Sequence, residues 1–307
     1  MSTPRIGPRI SVITPCLNGA RYVREAIESV LIQGYSDTEH IVADGGSTDR
    51  TLEILSRYPH LKVLSSPDRG MYDALNKALA VARGEFIGIL NSDDCYADDV
   101  FSSVIEAFRD EGVMALAGEA VTFREATNDH QIVVERVTPA GIDLLVQSTL
   151  GDPSINAWFF RGSVFAKIGA FDGTYKVAGD REFMLRFAFS GLRYARTKKL
   201  MYQYRMHPDS MTLGGNEEIW DTILREHNRL TGHYLCKSGL SKRARELIKR
   251  ARTRDTLLGA IHSARRCDVR GLISHALAGT RHDPVWPARF AKRAMRVLTV
   301  KIGFRCI

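Results

Sequence analysis

The sequence predicts an α/β fold, a doubly wound, mainly parallel, Rossmann-like sheet followed by a C-terminal helical extension. Short apolar runs alternate with amphipathic helical patterns from residue 9 to 95, all four runs end in Gly, Asn or Asp, and the charge balance reverses near residue 235. Strand–helix alternation at this spacing implies crossover connections and parallel strands. Ligands of such sheets bind beyond the carboxyl ends of the strands.

The first strand is expected at residues 9–14 (RISVIT), brief and β-branched, as a buried strand should be. Residues 20–33 then put Tyr22, Val23, Ala26, Ile27, Val30 and Leu31 on one helical face. A second strand is read at 40–43 and a second helix from 48 to 56. A third strand follows at 62–64, and a third helix at 72–82 stops at Arg83-Gly84. Residues 86–90 (FIGIL) form the fourth strand. Past residue 96 the alternation loosens. A helix is expected at 98–109, a strand or hairpin region at 114–137 with turn signals at Thr127-Asn128-Asp129, a strand at 158–160, and an acid-headed helix at 179–189. Composition shifts near 231–239, which predicts domains 1–235 and 236–307.

Bulk properties narrow the function classes. An apolar fraction of 44% and a charged fraction of 25% over 307 residues are those of an ordinary globular protein with a sizeable core. Five scattered cysteines without a CxxC pair argue against a disulfide framework or a zinc site and suit a reducing compartment. No apolar run is long enough for a signal peptide or a transmembrane helix, so a cytoplasmic location is expected. The net charge of +8 is unevenly spread. Residues 236–307 hold 18 Lys+Arg against 4 Asp+Glu, leaving 25 and 31 for residues 1–235.

The strand ends carry the chemistry. They read Pro15-Cys16-Leu17-Asn18-Gly19, Asp44-Gly45-Gly46-Ser47-Thr48-Asp49, Pro67-Asp68-Arg69-Gly70 and Asn91-Ser92-Asp93-Asp94. Turn chemistry alone explains one or two of these; four on one edge outline a polar site. Asp93-Asp94 after FIGIL suits a divalent ion, Mg2+ or Mn2+, which prefers oxygen ligands and neutralises phosphate charge. Its plainer reading is a helix N-cap, with Asp94 and Asp98 preceding a helix. Asp44, at a glycine-rich turn where a ligand can approach the backbone, can accept the imide N–H of uracil or guanine; an ordinary capped turn is the alternative.

Taken together these segments resemble family 2 of the glycosyltransferases, the large inverting family of the GT-A fold, over roughly residues 9–215. The resemblance rests on Ile13-Thr14-Pro15 with Asn18, the Asp44–Asp49 turn, Asp68-Arg69-Gly70-Met71-Tyr72-Asp73-Ala74-Leu75-Asn76-Lys77, Ala82-Arg83-Gly84-Glu85 and Leu90-Asn91-Ser92-Asp93-Asp94. It continues through Ile168-Gly169-Ala170-Phe171-Asp172 and Ala178-Gly179-Asp180-Arg181-Glu182 with Arg186. The sequence is most similar to the branch that builds bacterial surface polysaccharides.

The resemblance implies a nucleotide-sugar donor, with UDP as the expected carrier of a hexose-type sugar, and a glycan or glycolipid acceptor. It implies that Thr14, Pro15 and Asn18 line the nucleotide pocket, that Asp44 contacts the base, and that Asp68, Asp73 and Asn76 shape the donor pocket. Asp93 and Asp94 match the acid pair that binds the metal, with Asp94 expected as the direct ligand, and Asp180 matches the general base. A carboxylate at a helix start can take the acceptor proton opposite the leaving group, although it can equally cap its own helix. His207 is a further candidate metal or diphosphate contact, with a packing role as the alternative. Trp158 is either an acceptor platform or part of the core. Asn156-Ala157 departs from the His-Gln that many relatives carry before this strand, which bears on the acceptor side and leaves the donor side intact.

The tail lies outside the resemblance. Residues 241–254 are dense in Lys and Arg. Residues 286–304 put Trp286, Phe290, Ala294, Val297 and Leu298 on one helical face, with Arg289, Lys292, Arg293 and Arg296 largely opposite. That pattern suits the anionic inner face of a plasma membrane; a solvated appendage packed on the enzyme is the alternative. No nucleic-acid partner is expected, because no reading motif accompanies the charge. Two rival functions are a nucleotidyltransferase, against which the missing Gly-rich triphosphate loop counts, and a non-catalytic membrane-associated scaffold, against which the acids count.

Overall fold

The computed structural model describes residues 9–125, 131–137, 143–152, 154–211, 217–271, 273 and 277. The chain divides into two compact units, Met1–Asn216 and Glu217–Ile307.

The first unit opens with the expected alternation: β1 (Ile10–Cys16), α1 (Val23–Leu31), β2 (Thr38–Asp44), α2 (Thr51–Leu55), β3 (Leu61–Ser65), α3 (Met71–Val81) and β4 (Phe86–Ile89). These strands pair in parallel in the order β3-β2-β1-β4. All seven residues of β1 are buried, as covered strands of a parallel sheet must be. On α1 the buried Val23, Ala26, Ile27 and Val30 recur at helical spacing and face the sheet.

The later part of the unit folds onto the open edge. It runs β5 (Cys95–Tyr96), α4 (Val100–Ala107), β6 (Ala115–Glu125), β7 (Gln131–Val137), α5 (Leu144–Leu150), a 3-10 turn at Ile155–Ala157, β8 (Trp158–Arg161), α6 (Gly162–Ile168), α7 (Gly179–Phe189) and β9 (Tyr194–Arg205). The nine strands make one sheet, β3-β2-β1-β4-β8-β6-β9-β5, with β7 on β6. Its first four strands are parallel. From β8 onward it is mixed, because β8 runs antiparallel to both β4 and β6 while β6 and β9 are parallel to each other. The hairpin expected at 114–137 is present as β6 and β7; its turn signals at 127–129 lie outside the described residues.

Two of the alternatives left open by the sequence are decided here. Trp158 has no exposed surface and stacks on Phe160 (5.9 Å, 10° between planes), with Phe187 and Tyr194 at its edge, so it belongs to the core and offers no face to a sugar. The helix after the acid pair is headed by Asp99, in the left-handed region at φ 56°, which removes the N-cap reading of Asp94.

The second unit contains α8 (Glu217–Cys236) and α9 (Lys242–Arg265), which pair side by side. Arg252 Nη1 donates to the Asn228 carbonyl at 2.7 Å, and the buried Asp255 accepts from Arg254 at 2.7 Å and faces His227 at 3.6 Å. Both helices belong to this second compact unit. Among the described residues no helix is long and apolar enough to cross a membrane. The basic amphipathic segment at 286–304 lies outside the described residues.

Candidate active site

The carboxyl ends of β1, β2 and β3 build one wall. Thr14 and Pro15 are buried within β1, and the Thr14 hydroxyl shares a 2.9 Å hydrogen bond with the buried His40 Nε2 on β2. Thr14 therefore turns its side chain into the sheet and not toward a pocket. Burial pushes His40 down to about 3, so its ring is neutral. Beyond β1, Asn18 adopts the left-handed conformation (φ 52°) and its Oδ1 accepts from the Thr48 amide at 2.9 Å, while its own amide donates to Ser47 Oγ at 2.7 Å. These bonds fasten the β1 loop to the Asp44–Asp49 turn.

Asp44 ends β2, buried. Its carboxylate accepts from the Gly46 and Ser47 amides (both 3.1 Å) and from Ser65 Oγ at 2.7 Å. Burial opposes the charge, but bonds from Ser47, Ser65 and the two amides outweigh it and hold its pKa below the ordinary value. Gly45 is needed for a close approach: a Cβ there would lie 2.5 Å from Asp68 Oδ2. Asp68 in turn accepts from the Gly70 amide (2.8 Å), which heads α3. On α3, Asp73 accepts from Arg69 Nη2 at 2.9 Å, and Asn76 makes two bonds to the Phe171 backbone (2.8 and 3.0 Å). Asp44, Asp68 and Asn18 are thus brought together; the amide of Asn76 is committed to fixing the 169–171 loop.

The two acids stand in different surroundings. Asp94 is 3% exposed, and its carboxylate accepts from the Arg205 amide (2.7 Å), the Tyr202 hydroxyl (2.9 Å) and Asn91 Nδ2 (3.0 Å). Burial, and then the charge of Asp93, push it up to about 7 against those three donors. Asp93 is the more accessible acid, with its side chain 34% exposed, and its Oδ2 lies 3.1 Å from His207 Nε2. Both acids lie in the turn between β4 and β5, and β9 covers Asp94 through the Tyr202 hydroxyl and the Arg205 amide.

His207 stands on the segment leaving β9, its ring 4.7 Å from that of Tyr22, with Nδ1 buried and without a hydrogen-bond partner among the described residues. The ring's recorded polar contact is thus the one from Nε2 to Asp93. Among the described residues no group of three or more His, Cys, Asp or Glu could hold a metal ion. One carboxylate and one imidazole still fit Mg2+ or Mn2+, which take one or two protein ligands and complete their shell with phosphate and water.

Arg205 was not singled out from sequence. It is 2% exposed on its side chain, donates from Nε to the Asp93 carbonyl at 3.0 Å, pairs with Glu25 and Glu125, and lies over the Tyr22 ring at 4.6 Å. The only available signal was its place in Arg205-Met206-His207-Pro208.

Asp180 lies in the first turn of α7, half-buried. Its Oδ1 accepts from the Arg181 amide at 2.6 Å and shares the single proton of the Tyr72 hydroxyl (3.3 Å) with the Val177 carbonyl (3.0 Å). Gly179 admits this contact, since a Cβ there would strike the Tyr72 ring at 2.7 Å. Burial first, and the Asp180 charge second, hold Tyr72 well above an ordinary phenol, so it stays a proton donor. Tyr204 packs 4.6 Å from the Tyr202 ring, and burial first, then the charge of Asp152, hold it well above an ordinary phenol.

The model of the family described as Glycosyl transferase family 2 matches residues 11–169, just over half of the chain. The chain belongs to glycosyl transferase family 2. An uncharacterized glycosyltransferase of Mycobacterium tuberculosis is 34% identical over 189 residues, covering 59% of this chain and 69% of that one. Chondroitin synthase of Pasteurella multocida is 25% identical over 220 residues, 67% of this chain but 21% of the synthase. Among solved structures, S. aureus TarS 1–349 in complex with UDP-GlcNAc matches with a TM-score of 0.58 at 18% identity, covering 89% of this chain and 91% of that one. The mannosyltransferase PcManGT from Pyrobaculum calidifontis, in complex with GDP-Man and Mn2+, matches with a TM-score of 0.58 at 17% identity, covering 94% and 85%. This glycosyltransferase therefore has the GT-A fold that the resemblance implied.

Proposed function

We propose that the chain is an inverting, cation-dependent glycosyltransferase that moves a hexose-type sugar from a UDP-sugar to a hydroxyl of a lipid-linked or growing bacterial surface glycan. The observation that carries this reading is the pairing of Asp93 with His207 at 3.1 Å in the unit that also presents Asp180 in the first turn of α7. The nucleotide-sugar complexes of TarS and PcManGT support a nucleotide-sugar donor, and the Mn2+ of PcManGT supports a cation.

In this reading Asp93 and His207 hold Mg2+ or Mn2+, which when bound neutralises the departing diphosphate and orients its oxygens. The Asn18 and Asp44–Asp49 loops and Asp68 form the nucleotide end of the pocket. Asp180, kept in place by Tyr72 and the Arg181 amide, takes the acceptor O–H proton as that oxygen bonds to sugar C1. The C1–O bond to the diphosphate breaks, its electron pair leaves with UDP, and attack from the opposite face inverts the anomeric centre.

A panel of sugar nucleotides tests this. UDP release from at least one UDP-sugar is expected with Mn2+ or Mg2+ and is abolished by EDTA. Turnover indifferent to EDTA would defeat the cation assignment, and pyrophosphate release from nucleoside triphosphates would favour a nucleotidyltransferase.

The basic segment 236–307 is proposed to dock the enzyme peripherally on the cytoplasmic face of the plasma membrane, each base near an anionic surface contributing about 1 kcal/mol. Co-sedimentation with phosphatidylglycerol vesicles, but not with phosphatidylcholine vesicles, is the expected result. Equal recovery with both would remove this role.

A further inference from the structure

The strand end that supplies His207 also grips the acid turn from beneath. Tyr202 has no exposed surface, yet its hydroxyl makes three hydrogen bonds: it donates to Asp94 Oδ2 (2.9 Å), and it accepts from the Asn91 amide (3.0 Å) and from Asn156 Nδ2 (3.0 Å). A phenol has one proton to give and lone pairs to receive, so this oxygen is fully used. Three residues on, the Arg205 amide donates to Asp94 Oδ1 and its Nε to the Asp93 carbonyl. Asp94, closed off from solvent, thereby acts as a keystone between β9 and the Asn91–Asp94 turn.

Asn156 brings in a third element. It is 7% exposed in the 3-10 turn before β8. Its carboxamide reaches Tyr202 and not solvent. It connects the β8 approach to the acid turn through one hydroxyl.

We propose that Tyr202, with Asn156 behind it, is a positioning residue that sets the Asp93–His207 spacing for a divalent cation by holding Asp94 and the Asn91 amide. This rests on the cation reading of Asp93 and His207 given above. Both residues are closed off from solvent, so each acts through the acid turn. Outer partners of metal ligands of this kind alter metal affinity by roughly 10- to 100-fold when removed.

The test uses the full chain and reads Mn2+ binding, in the presence of UDP, by electron paramagnetic resonance, alongside thermal stability. Tyr202→Phe removes the proton held by Asp94 and the acceptor used by Asn91 and Asn156. It is expected to weaken Mn2+ binding by about tenfold or more and to raise the Mn2+ concentration needed for half-maximal UDP release by a similar factor. Asn156→Leu, a smaller change that spares the Asp94 bond, is expected to weaken binding by a lesser factor. Because both act through one oxygen, the double variant should match Tyr202→Phe alone and not the product of the two factors. Should Tyr202→Phe not fold, Asn156→Leu decides by itself.

Lower thermal stability with unchanged Mn2+ affinity in both variants would make the network merely structural and overturn the proposal. If instead the unsubstituted chain binds no Mn2+ with UDP, the cation reading itself falls, and the positioning role with it; the two failures are separately recognisable.

Discussion

Asp180→Asn is expected to lower turnover by about three orders of magnitude, within the range that general-base catalysis contributes, while UDP affinity changes little. Asparagine keeps the size of the side chain and an oxygen that can accept from Tyr72 and the Arg181 amide, the two groups that hold Asp180 Oδ1. It cannot accept a proton from an acceptor hydroxyl. The loss should therefore appear in kcat far more than in donor KM. The check is steady-state UDP release together with UDP binding by calorimetry. Tyr72→Phe is a useful companion, since it removes a donor at 3.3 Å without removing the base and should cost much less. Retained turnover in Asp180→Asn would mean that the proton leaves by another route.

The second large effect is expected at the cation end, and it separates the two acids. Asp93→Ala should abolish Mn2+ binding in the presence of UDP and reduce transfer by about 10^3, the several kcal/mol by which a cation stabilises a departing phosphate. His207→Ala should weaken Mn2+ binding by a smaller factor and leave folding intact, because the ring is a partner of Asp93 and a neighbour of Tyr22 but lies outside the main core. Asp94→Ala should differ in kind. Removing a buried carboxylate leaves the Arg205 amide, the Tyr202 hydroxyl and Asn91 Nδ2 without their acceptor, and each buried orphan costs roughly 1–3 kcal/mol. Thermal stability should fall sharply in Asp94→Ala and little in Asp93→Ala, as calorimetric melting of the two proteins would reveal. Equal loss of stability in both would contradict the division of roles.

The first half of the sheet was readable because β1, most of β2, and β4 are buried and their apolar runs stand out. ISVITPC and FIGI need no partner to be recognised, and the acids at their ends follow from the rule that sites form at carboxyl strand ends. The strand β9 was not readable. Its sequence, YARTKKLMYQYR, is polar and only partly buried, and its place beside β6 is set by a pairing between distant segments. Yet β9 decides the site. It covers Asp94 and leaves Asp93 open, which two neighbouring aspartates in a sequence cannot disclose, and it brings Tyr202 to Asn91 across 111 residues. Thr14 misled for a related reason: a threonine on a strand flanking the site looks like a pocket residue until its hydroxyl is seen on His40 of the next strand. Trp158 has no signal of its own, since an aromatic in a strand serves a core or a sugar equally well.

The most direct measurement is anomalous diffraction from crystals of the full chain grown with UDP and Mn2+. The account predicts one Mn2+ peak within about 2.4 Å of both an Asp93 carboxylate oxygen and His207 Nε2, in contact with the diphosphate, with the uracil end toward the Asn18 and Asp44 loops. A cation bound elsewhere, or UDP lying away from the ends of β1, β2 and β4, would contradict it.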